Sequence, residues 1–383
     1  MTAIPADRPM RVGLDVSPLG ARGGIGRYTF ELLDALWADG SGPHVVPVGN
    51  RRLDTASLPP EHGAHPAVQG PRFPSRVAWT FGVLPLWLRR SGLDVFHGTS
   101  FYAPLGSGLP LVVTFHDMSV FVCPWTHPAT RVLGARAMLG RVAAAAAAVV
   151  TPSDAARQDA IRWLDIAPDR VHVVPGAPAA HFRPSEPRHA EGIAARYGLE
   201  PGYFLALGTM EPRKNLGSTV EAVARLRAAG HPIRLAVAGR PGWKWQPVLD
   251  KVQRLGLGGL VRFLGFVPDD DLPALMGAAA ALVYPSLYEG FGLPILEAMA
   301  CGSPVITTGS GATAEVAGGA AVLVDPRDPE AIALAMRSVL EPGARAGLVA
   351  AGLRRAADFS WTRSAREMLD VYRAVSRPGA ARP

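Results

Sequence analysis

Twice along this chain an apolar strand runs into a glycine-bearing turn and then into an amphipathic helix closed by a glycine, and this repeated order restricts the fold more than any other feature. In the first instance the strand is Arg11 to Val16, the turn Gly20 to Gly26, and the helix carries Tyr28, Leu32, Leu33 and Leu36 on one face. Gly40 stops it before a strand from His44 to Val48. In the second, strand Tyr203 to Leu207 leads through the turn Gly208 to Asn215 to a helix faced by Leu216, Val220, Val223 and Leu226, with a stop at Gly230 and a strand Ile233 to Ala238. Short apolar runs continue the alternation: Val95 to His97, Leu111 to Phe115 and Ala148 to Thr151, then Val261 to Phe263, Ala281 to Tyr284, Val305 to Ile306 and Ala321 to Val324. Buried strands separated by helices build parallel, helix-covered sheets, which take ligands beyond the carboxyl ends of their strands. The expected class is α/β, with two doubly wound Rossmann-like domains facing an interdomain cleft. Periodicity gives way to GAPAAHFRPSEPRHAEG after Val174 and Pro175, which places a linker at 181–200 between domains at 1–180 and 201–360. The helical residues 361–383 are expected to return to the first domain.

With 383 residues, 48% of them hydrophobic and 19% charged, the chain has enough apolar surface for two full cores. Its formal charge of +7 is scattered, the adjacent pairs being Arg51-Arg52, Arg89-Arg90, Arg213-Lys214 and Arg354-Arg355. Without a basic tract or an aromatic ribonucleoprotein-like motif, a nucleic-acid partner is excluded in favour of phosphorylated substrates or an anionic membrane surface. Cys123 and Cys301 belong to no Cys/His cluster, which argues against a zinc site or a disulfide framework and for a reducing cytoplasm. Asp7, Arg8 and Arg11 precede the first apolar run, which is not signal-peptide order, and no run reaches the roughly 18 apolar residues of a membrane span. The expectation is a soluble cytoplasmic protein, peripheral to a membrane at most. Arg76 to Arg90, RVAWTFGVLPLWLRR, is either an amphipathic surface for membrane or lipid acceptor, or a segment buried between sheet and linker, with Pro85 interrupting any single helix.

The segment Tyr284 to Ile306, YPSLYEGFGLPILEAMACGSPVI, is the most informative for chemistry. A strand ends at Tyr284, a loop with Gly290 and Gly292 follows, and Pro294 opens a helix expected to bear Glu297 in its first turn. Backbone amides at that helix start favour anions, whereas Glu289 and Glu297 suit uncharged hydroxyls: Glu297 a ribose diol, Glu289 the hydroxyls of a sugar. Alternatively Glu297 only complements the helix dipole and Glu289 is solvated. Arg213 and Lys214 sit on the turn after a strand, either facing a ligand or as solvated loop charges. His116 follows the strand ending at Phe115, at that strand's carboxyl end.

These motifs together resemble the family 4 retaining glycosyltransferases of GT-B fold. Glu289 and Glu297, eight positions apart, resemble that family's Glu-x7-Glu signature, and Gly23-Gly24-Ile25-Gly26-Arg27-Tyr28 its N-terminal glycine turn. Thr114-Phe115-His116-Asp117 resembles its histidine segment, Val150-Thr151-Pro152-Ser153 its serine segment, and Gly208-Thr209-Met210-Glu211-Pro212-Arg213-Lys214-Asn215 its phosphate-binding turn. The resemblance implies that His116, Glu289, Lys214 and Arg213 carry the reaction. Gly23, Gly24, Gly26, Gly208, Thr209, Gly290, Phe291, Gly292, Leu293 and Glu297 would bind the donor, and Asp117 would orient His116 or bind the acceptor. Thr209 stands where many relatives have arginine, which leaves Arg213 as a substitute clamp. The implied reaction takes a sugar from a nucleotide diphosphate donor with retention, without metal or cofactor, by same-face substitution in which Lys214 and Arg213 stabilise the leaving diphosphate. Glu211 to Asn215 and Gly239 to Trp243 look like the corresponding stretches of bacterial mannosyltransferases of surface polysaccharides. GDP-mannose and a glycan or lipid-linked acceptor are therefore the expected substrates. UDP-sugar transfer, a nucleotide-sugar epimerase, a phosphorylase or a noncatalytic sugar-nucleotide-binding protein are the rival readings. The last would lose Glu289 or Lys214, which are both present.

Overall fold

In the computed structural model the described residues are 8–20, 23–40, 42–50, 58–59, 68–71, 73, 75–231 and 233–376. The chain divides into two compact units, one of residues 1–118, 133–176 and 360–383, the other of 119–132 and 177–359. Among the described residues no helix is long and apolar enough to cross a membrane.

The first unit contains β1 (Arg11–Asp15), β2 (His44–Val48), β3 (Val95–Gly98), β4 (Leu111–Thr114), β5 (Ala148–Thr151) and β6 (Val171–Val173). They form one parallel sheet in the order β2-β1-β3-β4-β5-β6. β3, β4 and β5 are buried along their whole length, as parallel strands covered on both faces must be. The helix Gly24–Asp39 buries Tyr28, Leu32, Leu33 and Leu36 and ends on Gly40 in the left-handed region, as its sequence predicts. It starts earlier than expected, however. Gly24 and Gly26 lie inside it, and Gly23 is an extended cap with no side chain to offer.

Pro85 does not interrupt the helical path as expected. Arg76–Ala78 continues through a π-turn, Trp79–Val83, into Leu84–Leu88, and the N–H of Leu84 reaches back to the carbonyl of Trp79. A proline supplies no donor, and the widened turn before it absorbs the mismatch without ending the helix. Trp79, Leu84 and Leu88 are buried while Val77 and Leu86 stay exposed, so the segment has one core face and one solvent face.

The C-terminal helix Trp361–Ser376 belongs to the first unit and is tied into its interior. The hydroxyl of Tyr372 lies 2.7 Å from Nδ1 of His97, whose Nε2 lies 2.8 Å from Oγ1 of Thr114. All three side chains are fully buried, and burial, helped by the neighbouring His116, pushes the His97 imidazole down to about 3. His97 is therefore a neutral bridge between helix and sheet.

The second unit contains β7 (Phe204–Leu207), β8 (Leu235–Ala238), β9 (Val261–Gly265), β10 (Ala281–Tyr284), β11 (Val305–Thr308) and β12 (Val322–Val324). Their order is β12-β11-β10-β7-β8-β9, all parallel. Successive strands run outward from β7 to one side and from β10 to the other, so the direction of winding reverses between those two. A crevice opens at the carboxyl end of such a switch point. Phe204 and Ala206 pack on one face of the sheet, Tyr203 and Leu205 on the other. The stretch assigned to a linker carries a helix, Pro187–Arg196, whose Ala190, Ile193 and Ala194 join this unit's core. Its many charges and flanking prolines mask that short apolar stripe in the sequence.

Candidate active site

At the switch point of the second sheet the turn after β7 meets the loop after β10. Gly208, at φ 125°, starts the turn in a conformation that side chains avoid, and an added Cβ would press on Cε of Lys214 at 3.2 Å. The turn is held from the side by the segment after β8. The N–H of Met210 donates to the carbonyl of Arg240, and the N–H of Gly242 to that of Met210. Gly239 passes so close that a Cβ would lie 1.9 Å from the carbonyl oxygen of Gly208. Gly239 to Trp243 is thus a brace for the turn. Thr209 packs its methyl beside Gly242. Asn215, left-handed at φ 55°, caps the turn, and its Nδ2 donates to the carbonyls of Pro285 and Pro326, stitching the β7 turn to the β10 loop and to the segment after β12.

The charges brought together here form one cluster. Glu289 Oε1 accepts from Lys214 Nζ at 2.6 Å and from the hydroxyl of Tyr284 at 3.0 Å, and Oε2 accepts from Arg213 Nη1 at 2.6 Å. Arg213 also donates from Nη1 to the carbonyl of Tyr288 at 2.9 Å and from Nη2 to Glu211 at 2.8 Å. Lys214 Nζ donates to the Tyr284 hydroxyl and lies 4.6 Å from the centre of its ring. The three charged side chains are only 10–13% exposed. Burial alone would raise the Glu289 carboxyl, but Arg213 and Lys214 together outweigh it and hold it near 2. Burial lowers Lys214, with Glu289 working against that shift and Arg213 with it. Arg213 and Lys214 are thus balanced by Glu211 and Glu289, so the cluster at the carboxyl ends of β7 and β10 gathers two cations and two carboxylates. Most of the Arg213 guanidinium is engaged by protein oxygens, which makes it the support of Glu289 and leaves Lys214 the more adaptable cation.

The helix after this loop, Leu293–Ala300, begins on Gly292 at φ 107°. Glu297 is not in its first turn as expected. It is the fifth helical residue, 1% exposed, because Pro294 occupies the second helical position rather than the first. Phe291 is core, packed edge-on against Phe359 at 5.9 Å, while Leu293 and Pro294 remain half-buried beside Gly290 and Gly292.

The first unit gathers a second group at the carboxyl ends of β1, β3 and β4. Gly23 and Gly24 begin the helix after β1 with open space where a Cβ would stand, so backbone amides there are approachable. His116 follows β4 and places Nε2 2.7 Å from the carbonyl oxygen of Thr99. Burial lowers its imidazole, against the opposing effects of that hydrogen bond and of Asp117, so the ring is neutral near neutrality. Tyr28 and Phe101 meet it edge-on at 5.0 and 5.7 Å. Asp15, at the end of β1, is buried with its carboxyl raised by desolvation, which Arg76 and Ser17 only partly counter.

Tyr284, Glu211, Asn215, Thr99, Phe101 and Asp15 join these groups without having been singled out from the sequence, except as the ends of strands or turns. A polar or aromatic residue terminating a buried parallel strand is the signal that would have found Tyr284 and Asp15.

Residues 195–350 match the family model for glycosyl transferases group 1, and residues 22–177 that for glycosyltransferase family 4. The chain is 37% identical over 293 residues to the O-antigen chain mannosyltransferase B of Escherichia coli, a match covering 75% of this chain and 76% of that protein. It is 32% identical over 314 residues to the MMP alpha-(1->4)-mannosyltransferase of Mycolicibacterium hassiacum, covering 76% and 73%. Among solved structures it superposes on WaaG, a glycosyltransferase involved in lipopolysaccharide biosynthesis, with a TM-score of 0.73 at 19% identity over 94% of this chain and 99% of that one.

Proposed function

Since this chain belongs to the family 4 glycosyltransferases, whose GT-B fold its two parallel six-stranded sheets reproduce, we propose that it transfers mannose from GDP-mannose, with retention, to a glycan or lipid-linked acceptor of a cell-surface polysaccharide. The observation that carries the reading is the Lys214–Glu289–Arg213 cluster at the switch point of the second sheet. Bond breaking in such a donor adds a further negative charge to a diphosphate that already carries two, and a fixed cation beside it stabilises the transition state more than the ground state. Lys214 supplies that charge on arrival of the diphosphate. Glu289, kept ionised by Arg213, offers oxygens to sugar hydroxyls once Lys214 turns to the phosphate. The amide at Gly292 adds partial positive charge.

Because the protein's own cations meet the diphosphate, the reaction proceeds without a metal, and a phosphate oxygen of the leaving group takes the acceptor's proton on the face from which it departs. The mannosyl assignment rests on the two mannosyltransferase relatives. The basic balance of the chain suits an acceptor held at the inner face of a membrane. The test is transfer from radiolabelled GDP-mannose, UDP-glucose and UDP-N-acetylglucosamine into bacterial membrane extract, each with and without exhaustive chelation. Labelling from GDP-mannose that survives the chelator is the expected result. Labelling only from a UDP-sugar rejects the donor, and activity restored by magnesium or manganese rejects the metal-free mechanism.

A further inference from the structure

A neutral imidazole carries one proton, and the partner of each nitrogen decides which one holds it. The carbonyl oxygen of Thr99 can only accept, so His116 Nε2 must donate to it and Nδ1 presents a lone pair. Among the described residues Nδ1 has no hydrogen-bond partner, and the half-buried ring is not sealed in the core.

The loop that supplies this carbonyl is built under constraint. Thr99 Oγ1 donates to the carbonyl of Asp15 at 2.6 Å, and the N–H of Phe101 to that of Thr114 at 3.0 Å. At Gly98 the backbone doubles back so closely that a Cβ would lie 2.1 Å from the carbonyl oxygen of Tyr102. Phe101 itself sits at φ 57°, a left-handed conformation that a bulky side chain disfavours. Such strain persists only where the surroundings over-determine it. Here the ring stacks on Phe115 with 18° between planes and meets the His116 ring edge-on, while Tyr28 closes another side.

We propose that Phe101 is a positioning residue whose strained loop locks His116 as the Nε2–H tautomer, so that Nδ1 accepts a hydrogen bond from a hydroxyl of the bound donor sugar. The second half of this rests on the reading of His116 as a donor contact.

Labelling the full-length protein with [15N]histidine and recording long-range 1H–15N correlations reports the tautomer directly, with His116→Asn identifying the signal. The expected wild-type ring is neutral, protonated at Nε2 and bare at Nδ1. Phe101→Gly, which tolerates the backbone angle but removes the clamp, is expected to give mixed tautomers and about tenfold lower kcat/KM with GDP-mannose, the loss of one hydrogen bond. That loss should disappear with one of a set of monodeoxy GDP-mannose analogues. Thr99→Val, which keeps shape but frees the loop from Asp15, gives the same readout if the glycine variant does not fold. A proton on Nδ1 in the wild type overturns the lock, and a variant that loses activity while keeping a single tautomer overturns the positioning role. The expected tautomer combined with undiminished transfer by His116→Asn overturns the donor contact and leaves the lock standing.

Discussion

Glu289 is shared between two cations, and that sharing sets what each substitution should do. Lys214→Ala removes the adaptable charge but leaves Glu289 paired with Arg213, so turnover is expected to fall by roughly 10²–10³ with the fold intact. Glu289→Ala leaves two half-buried cations facing each other and should lose comparable activity. Circular dichroism beside steady-state kinetics checks both, and near-normal turnover in either variant removes that residue from the site. The same cluster sets a pH dependence. Burial lowers Lys214 in the free protein, and a bound diphosphate favours its charged form. Donor affinity should therefore be full below the lowered value and decline as pH rises through it, earlier than an ordinary lysine would allow. Titrating donor binding on the alkaline side tests this, and an affinity flat up to the usual lysine range contradicts it. The places of Arg213, Lys214 and Glu289 on turns after strands were legible in the sequence, but position alone left them open to being solvated charges, and their pairing appears only in the folded chain. Tyr284 was not legible, because a strand residue in an apolar run reads as core, and Glu297 was misplaced because the proline was taken as the helix start.

Two elements carry most of the geometry, the braced turn after β7 and the C-terminal helix. At Gly239 a side chain meets a backbone oxygen at 1.9 Å and a φ of 152°. Gly239→Ala is therefore expected to cost about 2 kcal/mol or more and to weaken donor binding, which thermal unfolding with and without GDP-mannose would show. An alanine tolerated without either change would mean the brace does not hold the turn. The helix Trp361–Ser376 is joined to the sheet through His97, whose folded value near 3 lies far below the ordinary 6.5. The unfolded chain takes up a proton that the folded one refuses. Stability should be full above about 6.5 and fall by up to ~1.4 kcal/mol per pH unit on acidification toward 3. Tyr372→Phe leaves a buried ring nitrogen unsatisfied and should cost about 1–3 kcal/mol at neutral pH. Denaturant unfolding across that pH range reads both, and a wild type equally stable at pH 4 and pH 7 contradicts the buried neutral bridge. Strands and long helices were legible from periodicity. β6, the linker helix and the π-turn were not, since three residues, a stripe hidden among charges and a wider turn leave no period to read.

At the scale of the molecule the repeated strand, glycine turn and helix led to two doubly wound sheets, because buried parallel strands impose apolar runs that few other structures need. Residue contacts between distant segments, such as Tyr372 with His97 or Asn215 with Pro326, left no local pattern and appear only in the folded chain. The central claim is that fixed cations, in place of a metal, carry the leaving diphosphate on the face where the new bond forms. The most direct measurement is the anomeric carbon–proton coupling of the product made from α-linked GDP-[1-13C]mannose in excess chelator. The account predicts an α-mannoside formed at the rate seen without chelator. A β-mannoside, or no product until a divalent metal is restored, would contradict it.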